Sequence, residues 1–200
     1  MKMNKGLMML KNHAEVFRAE FKSDKARIRA LVLSDSHGAV DRLVDIIAHH
    51  LDEIDLVLFL GDGANDLVEA SYIFPELTFF AVTGNNDYPL PKGDISFPLE
   101  FVIKIAGLHL YLTHGHIASY RDIKPIVASR AKALGASIGL YGHLHVTAID
   151  KIGDVTVINP GSIFYPRGAS AASYLILDIA EGVFLYQFYN AITGEHLGDF

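Results

Sequence analysis

The sequence contains no cysteine and no long hydrophobic run. The absence of cysteine excludes disulfide bonds, thiolate metal sites and a cysteine nucleophile, and it fits a reducing compartment. Every apolar stretch is short and is interrupted by charge or glycine, so we expect no membrane span. The N-terminal stretch lacks an unbroken apolar segment and a small-residue cleavage site, which argues against a secretory signal. We therefore expect a cytoplasmic protein.

Positive charge is also scarce, because 17 Lys and Arg face 23 Asp and Glu, giving a net charge of −6. This balance argues against a general nucleic-acid-binding surface, so we expect no stable nucleic-acid partner. The 200 residues fit one domain with a substantial core. We assign residues 28–200 to that single domain and residues 1–27 to an N-terminal extension.

The N-terminal extension carries apolar residues at helical spacing. We predict a short amphipathic helix that packs on the body of the protein or on a neighbouring subunit; a membrane-surface helix is the weaker alternative. The residues that carry this pattern are Leu7, Leu10, Ala14, Phe17 and Phe21.

Strand and helix patterns alternate from Arg29 to Tyr141, after which strands joined by tight turns follow. The first part predicts β-α-β units with parallel strands, and the second part predicts antiparallel hairpins. Two packed sheets with helices outside accommodate both parts in one α/β (α+β) domain.

Five predicted strands each end in a short polar turn that is rich in glycine. Ligands of open α/β sheets bind beyond the carboxyl ends of strands, so these turns meet if the strands are neighbours. Each turn alone could be structural, for example a capping histidine or an Asx-turn, but five repetitions predict one shared site. The turns are Asp35-Ser36-His37-Gly38, Gly61-Asp62-Gly63, Gly84-Asn85-Asn86-Asp87, His114-Gly115-His116 and Gly142-His143-Leu144-His145.

The polar groups of these turns are carboxylates, an amide and imidazoles. Nitrogen and oxygen ligands without sulfur suit Mn, Fe, Ni or Zn, and they suit Mg less well where imidazoles are many. About seven ligands are too many for one cation but suit two that share a bridging carboxylate, the arrangement that clamps an in-line phosphoryl displacement.

The ordered blocks S-D-S-H-G, G-D-G, G-N-N-D, T-H-G-H and G-H-L-H resemble the calcineurin-like metallophosphoesterase superfamily. With I-N-P-G-S at 158–162, they are most similar to its small YfcE-type phosphodiesterases. The resemblance implies a four-layer αββα sandwich, with two mixed sheets packed face to face and flanked by helices. It also implies a dinuclear site where a metal-bridging hydroxide hydrolyses a small phosphodiester substrate.

The resemblance further assigns roles to individual residues. It implies two divalent cations, with Mn²⁺ preferred and Ni²⁺, Zn²⁺, Fe²⁺ or Mg²⁺ as alternatives. The first cation would be held by Asp35, His37 and His145, the second by Asn85, His114 and His143, and Asp62 would bridge them. The catalytic set that follows is Asp62, Asn85, His114 and His116.

One position departs from the family pattern. Many members carry histidine after the asparagine, where it protonates the leaving group, but here Asn86 cannot act as an acid. We assign Asn86 to substrate binding and consider His116 as the replacement acid, with a structural His116 as the equal alternative. Arg167 suits bidentate phosphate recognition, and a solvated loop arginine is its alternative.

Two other functions stay open at this stage. A protein-interaction scaffold on the same fold, similar to the retromer subunit of vacuolar sorting, would not need a complete set of competent ligands. A phosphomonoesterase would differ only in substrate. The apolar hairpins of the second half could also supply a homo-oligomer surface.

Overall fold

The computed structural model describes residues 16–87 and 96–198, and within them the chain forms eleven strands and three helices. The helices are α1 (Val40–His49), α2 (Ala64–Ile73) and α3 (Ile123–Ala133). The strands are β1 (Phe17–Phe21), β2 (Ile28–Leu33), β3 (Leu56–Phe59), β4 (Thr78–Ala81), β5 (Glu100–Ile105), β6 (Leu108–Thr113), β7 (Ile138–Tyr141), β8 (Thr147–Ile152), β9 (Val155–Pro160), β10 (Ser173–Ala180) and β11 (Val183–Asn190).

A five-stranded sheet has the order β11-β10-β2-β3-β4. Strands β2, β3 and β4 are parallel, while β10 and β11 run antiparallel. The parallel strands are unbroken apolar runs because both of their faces are covered. Helices α1 and α2 cover the outer face, where Leu43 and Leu67 join Phe59 and Phe79 in one core cluster.

A six-stranded sheet has the order β1-β5-β6-β7-β9-β8, and α3 packs on its outer face through Val127 and Ala131. The inner faces of the two sheets meet in a second core that contains Val32, Leu58 and Leu110. The layers therefore run helix, sheet, sheet, helix. This order confirms the predicted α/β (α+β) fold, the four-layer αββα sandwich.

None of the three helices in the described residues is long and apolar enough to cross a membrane.

The predicted N-terminal helix is wrong where the structure describes it, because Phe17–Phe21 is a strand. Phe17, Ala19 and Phe21 alternate with charged residues, so the same residues also fit a period of two. Pairing with β5 decides between the two patterns and buries the apolar face against the core between the sheets. Leu7, Leu10 and Ala14 lie outside the described residues.

The five polar turns lie at one edge of the sandwich. Strands β2, β3 and β4 are parallel neighbours in one sheet, and β6 and β7 are parallel neighbours in the other. The sheets meet at this edge, where the backbone N–H of His143 donates to a carboxylate oxygen of Asp35 at 3.1 Å. The topology therefore places all five turns at one edge of the sandwich.

Candidate metal centre

Four of the predicted ligands converge at this edge of the sandwich. Asp35, His37, Asp62 and His145 each offer a ligand atom, and all four atoms lie within 4.8 Å of one another. Nε2 of His145 lies 2.9 Å from Oδ1 of Asp35 and 3.2 Å from Nε2 of His37. Nε2 of His37 also lies 3.8 Å from a carboxylate oxygen of Asp62. Two acidic and two imidazole groups thus share one small volume.

The other three predicted ligands lie beside this group, and they differ in how closely they approach it. His114 is fully buried, with Nε2 3.4 Å from Oδ2 of Asp62 and 4.0 Å from Oδ1 of Asp35. The ring of half-buried His143 lies 5.2 Å from the ring of His114. Asn85 is exposed in the turn between Gly84 and Asn86. His114 therefore extends the cluster, and His143 borders it.

The backbone of the ligand-bearing turns is strained. Within the described residues, seven non-glycine residues have positive φ, and five of them are predicted ligands. A left-handed backbone is unfavourable for residues with a side chain, and such strain concentrates at functional sites. The five are Asp35, His37, Asp62, His143 and His145, with φ between 46° and 64°.

Two glycines of the predicted blocks make room for the carboxylates. A Cβ atom added to Gly84 would lie 2.1 Å from Oδ1 of Asp62. A Cβ atom added to Gly142 would lie 2.9 Å from Oδ2 of Asp35. Glycine is required at both positions because a side chain there would clash with the carboxylate of a neighbouring turn.

Hydrogen bonds fix the orientation of two imidazoles. Nδ1 of His114 lies 2.6 Å from the carbonyl oxygen of Leu60, and Nδ1 of His145 lies 2.6 Å from that of Tyr165. A carbonyl only accepts, so each Nδ1 carries the proton and donates it. The lone pair of each Nε2 then faces the cluster, which is the usual arrangement of a metal-binding histidine.

Two buried atoms of the cluster test whether a cation fits. Oδ1 of Asp35 and Nε2 of His114 are both buried, and neither makes a hydrogen bond of good geometry, although Nε2 of His145 lies 2.9 Å from that oxygen. A buried polar atom without a hydrogen bond costs about 1–3 kcal/mol, so native proteins rarely leave one. Divalent cations held at these atoms would satisfy both, because oxygen and nitrogen donors match what such ions accept. The residues present therefore fit a metal.

The charges of the cluster stabilise one another. Burial alone would raise the pKa of Asp62, but His114 and the hydrogen bonds from Asn86 hold it well below its usual range. Burial would lower the pKa of His114, yet contacts with Asp62 and Asp35 raise it. The pKa of His145 is also raised, against burial, by its contact with Asp35. A cation that binds at Nε2 of either histidine would compete with a proton for that nitrogen.

Two further histidines of the blocks, His116 and His143, have pKa values shifted in the opposite direction. Burial, together with the neighbouring His114, lowers the pKa of both His116 and His143. The ring of His116 lies 5.4 Å from that of His114 and 6.4 Å from that of His143. His116 thus lies beside the predicted ligands without belonging to the four-residue cluster.

Asn86 contacts the candidate bridging carboxylate. Its backbone N–H donates to Oδ1 of Asp62 at 2.8 Å, and its amide Nδ2 donates to Oδ2 at 2.6 Å. Both carboxylate oxygens are therefore held by one residue. The sequence alone gave no sign of this contact, because two consecutive asparagines in a turn have similar local preferences.

Asp87 has a structural role that the sequence analysis missed. Its buried carboxylate accepts hydrogen bonds from four backbone N–H groups at 2.7–2.9 Å. It thereby joins the turn after β4 to the turn before α2. An aspartate three residues after a turn glycine is the available signal for such a contact. The four donors are Asp62, Gly63, Ala64 and Gly84.

Arg167 lies beside the predicted ligand His145. Its backbone N–H donates to the carbonyl oxygen of His145 at 2.9 Å, and Nη1 donates to the hydroxyl of Tyr120 at 3.0 Å. The block I-N-P-G-S, which precedes Arg167 in the chain, donates hydrogen bonds to two of the ligand-bearing turns. Asn159 donates to the carbonyl oxygen of Gly142 at 2.7 Å, and the hydroxyl of Ser162 donates to that of Asp35 at 2.8 Å.

Comparison with known proteins agrees with this geometry. Residues 28–182 match the family model of the calcineurin-like phosphoesterase superfamily domain. The probable metallophosphoesterase YsnB of Bacillus subtilis (strain 168) is 32% identical over 169 residues, which span 84% of this chain and 94% of the relative. The phosphodiesterase YfcE of Escherichia coli (strain K12) is 24% identical over 170 residues, spanning 76% of this chain and 88% of YfcE.

A solved structure with a different description has the same fold. Vacuolar Protein Sorting 29 from Cryptosporidium parvum matches with a TM-score of 0.70, covering 86% of this chain and 95% of its own. The sequence identity is 19%, so this likeness shows the fold alone.

Proposed function

We propose that this chain, which belongs to the calcineurin-like phosphoesterase superfamily, hydrolyses small phosphodiesters with the help of divalent cations. The observation that carries the proposal is the cluster of Asp35, His37, Asp62 and His145, whose ligand atoms lie within 4.8 Å of one another. Preference for a diester over a monoester is supported by the relative YfcE, which is a phosphodiesterase.

Two cations are proposed because the family resemblance divides the seven predicted ligands between two ions. Asp35, His37 and His145 would hold one ion, and His114 and His143, with Asn85 from the exposed turn, would hold the other. Asp62 would belong to both sets, since its carboxylate contacts His114 and His37. Mn²⁺ is the ion we propose to be preferred. When bound, the ions would lower the pKa of a water molecule and neutralise charge on the phosphoryl oxygens.

The protein's own groups would place and protonate the substrate. Asp62 stays an anion because its pKa is held low, and Asn86 keeps its two oxygens in fixed positions. Arg167 would bind a non-bridging phosphate oxygen through the guanidinium N–H groups that do not bond Tyr120.

Hydrolysis adds one water molecule across a phosphorus–oxygen bond. The attacking water loses a proton, and the departing oxygen gains one. His116 is the imidazole at the border of the cluster that could deliver that second proton, since Asn86 has no acidic proton to give. A poor leaving group depends on this proton more than a good one does.

The test is hydrolysis of bis(p-nitrophenyl) phosphate by the full chain after EDTA treatment and reloading with Mn, Ni, Co, Zn or Mg. We expect turnover with at least one metal, and slower turnover of the monoester p-nitrophenyl phosphate. A faster monoester reaction would make the protein a phosphomonoesterase. Inactivity with all five metals would favour the interaction scaffold. The cytoplasmic location and the homo-oligomer stay predictions.

A further inference from the structure

Two exposed tyrosines stand beside the predicted metal ligands. Tyr120 and Tyr165 are each 56% exposed, and neither belongs to the hydrophobic cores. The ring of Tyr165 lies 5.7 Å from that of His37, and the ring of Tyr120 lies 6.0 Å from that of His143. The two tyrosines therefore adjoin different histidines of the cluster, and together we call them the aromatic rim.

Tyr165 is held firmly in this exposed position. Its backbone N–H donates to the hydroxyl of Ser162 at 2.8 Å, and its carbonyl oxygen accepts from His145 at 2.6 Å. Its ring also makes an edge contact with Phe164 at 4.3 Å between centroids. The same residue that orients a candidate metal ligand thus presents an aromatic ring to solvent.

Tyr120 is held through its hydroxyl, which accepts from Nη1 of Arg167 at 3.0 Å. Arg167 is two residues beyond Tyr165, so one loop carries one ring and binds the other. The guanidinium has further N–H donors that this bond leaves for a phosphate. Two exposed rings and one guanidinium group therefore adjoin the cluster of predicted ligands.

This arrangement suits one class of substituent. An exposed ring that is fixed in place loses little conformational entropy when it stacks on a flat group, and stacking is tolerant of which flat group it meets. A saturated substituent of equal size offers no π-face. We propose that the aromatic rim selects phosphodiesters whose non-departing substituent is a flat aromatic or heterocyclic group.

This inference rests on the proposed function, because that function places the phosphate between the cluster and Arg167. The test compares benzyl p-nitrophenyl phosphate with cyclohexylmethyl p-nitrophenyl phosphate. Both have the same leaving group, charge and carbon count, and the cyclohexyl group is the more hydrophobic. Simple burial would favour the saturated ester, whereas stacking favours the benzyl ester.

We expect kcat/KM of the metal-loaded protein to be about two- to tenfold higher for the benzyl ester. Tyr165→Leu and Tyr120→Leu should each bring the ratio of the two esters towards one. Tyr165→Phe keeps the ring and should keep the ratio. Tyr72→Leu removes a tyrosine that is equally exposed, at 54%, near the far end of α2, and should leave the ratio unchanged.

A binding measurement separates this inference from the proposed function. In benzyl(methyl)phosphinate and cyclohexylmethyl(methyl)phosphinate, both substituents are attached to phosphorus through carbon. These compounds cannot be hydrolysed, so calorimetry reports binding alone. Tighter binding of the benzyl compound, lost in Tyr165→Leu, supports the rim even if no ester is turned over. Turnover with equal ratios in wild type and leucine variants overturns the rim and leaves the hydrolase intact. Absence of both turnover and binding overturns both.

Discussion

Strand β2 carries charged residues at both of its ends, and the two ends differ in how those charges are satisfied. Near its start, Arg29 donates two hydrogen bonds to Asp178 at 3.0 and 3.1 Å and one to Glu53 at 2.9 Å. Just beyond its end, the buried Oδ1 of Asp35 makes no hydrogen bond of good geometry, although Nε2 of His145 lies 2.9 Å away. The charged groups at the start have hydrogen-bond partners within the protein, while the hydrogen bonding of Asp35 at the end is incomplete.

The backbone differs between the same two edges of the sandwich. At the start edge, Ala106 and Glu181 have positive φ, but each is followed by glycine in the two-residue turn of a hairpin, where that geometry is favoured. At the other edge, Asp35 and Asp62 have positive φ without being in hairpin turns. Within residues 16–87 and 96–198, positive φ outside hairpin turns and buried atoms without a hydrogen bond coincide only at the edge with the predicted ligands. This coincidence distinguishes a binding site from a structural ion pair.

The largest effect is expected at the incomplete edge, from Asp62→Asn. The change keeps the shape of the side chain but removes the charge that His114 and His37 face. We expect kcat/KM for bis(p-nitrophenyl) phosphate to fall by about a thousandfold or more. Asp45→Asn, which changes an exposed aspartate of α1, should leave the rate unchanged. An active Asp62→Asn variant would contradict the assignment of the cluster as the reaction centre.

The next effect concerns His116 and depends on the leaving group. If His116 protonates the departing oxygen, His116→Ala should slow an alkyl phosphodiester by about a hundredfold. The same change should affect a p-nitrophenyl ester little, because that leaving group departs without a proton. Rate ratios of the two esters in wild type and variant measure this. Equal losses on both esters would make His116 a structural residue.

A smaller effect is expected on metal affinity and, through it, on stability. Mn²⁺ at a hundred times its dissociation constant should raise the free energy of unfolding by about 2.7 kcal/mol, and therefore Tm by about 5–10 °C. His145→Ala should weaken binding more than about tenfold and reduce this shift. The control His49→Ala changes an exposed histidine of α1. Differential scanning calorimetry with EDTA and with Mn²⁺ checks the shift, and an unshifted wild type would contradict the predicted centre.

The sequence predicts part of this difference between the two edges of the sandwich. The apolar runs before Asp35, Asp62 and His143 predict parallel strands, and parallel neighbours bring their carboxyl ends together. The five turns could therefore be assigned to one edge without coordinates. The pattern of Phe17–Phe21 could not be read so simply, since it fits a helix and a strand equally and only pairing with β5 decides.

Contacts between side chains that are distant in sequence were not predictable. The bond from Arg167 to Tyr120 joins residues 47 positions apart in two irregular loops, where no periodicity constrains the chain. The contact of Asn86 with Asp62 depends on the tilt between two neighbouring turns. Residue type and spacing thus predict which groups reach the site, whereas packing decides which of them touch.

The smallest effect is expected at the satisfied edge, from Asp178→Asn. Burial would raise the pKa of Asp178, but hydrogen bonds and charge from Arg29, with a further contribution from Arg27, lower it. A carboxylate whose pKa is lower in the folded state contributes stability above its unfolded pKa and loses it as the pH falls. We therefore expect the free energy of unfolding, measured in urea at pH 7, to be about 1 kcal/mol higher for wild type than for the variant.

That difference should stay constant from about pH 7 to pH 5 and shrink as the pH falls below 3.8, the ordinary pKa of aspartate. Asp154→Asn, which changes a side chain that is 90% exposed, should alter stability by less than about 0.5 kcal/mol. Hydrolysis of bis(p-nitrophenyl) phosphate should be unchanged in both variants, because neither aspartate lies at the edge with the metal ligands. If Asp178→Asn slowed hydrolysis as well as lowering the free energy of unfolding, the two ends of β2 would be coupled. The separation of a stabilising edge from a reactive edge would then not hold.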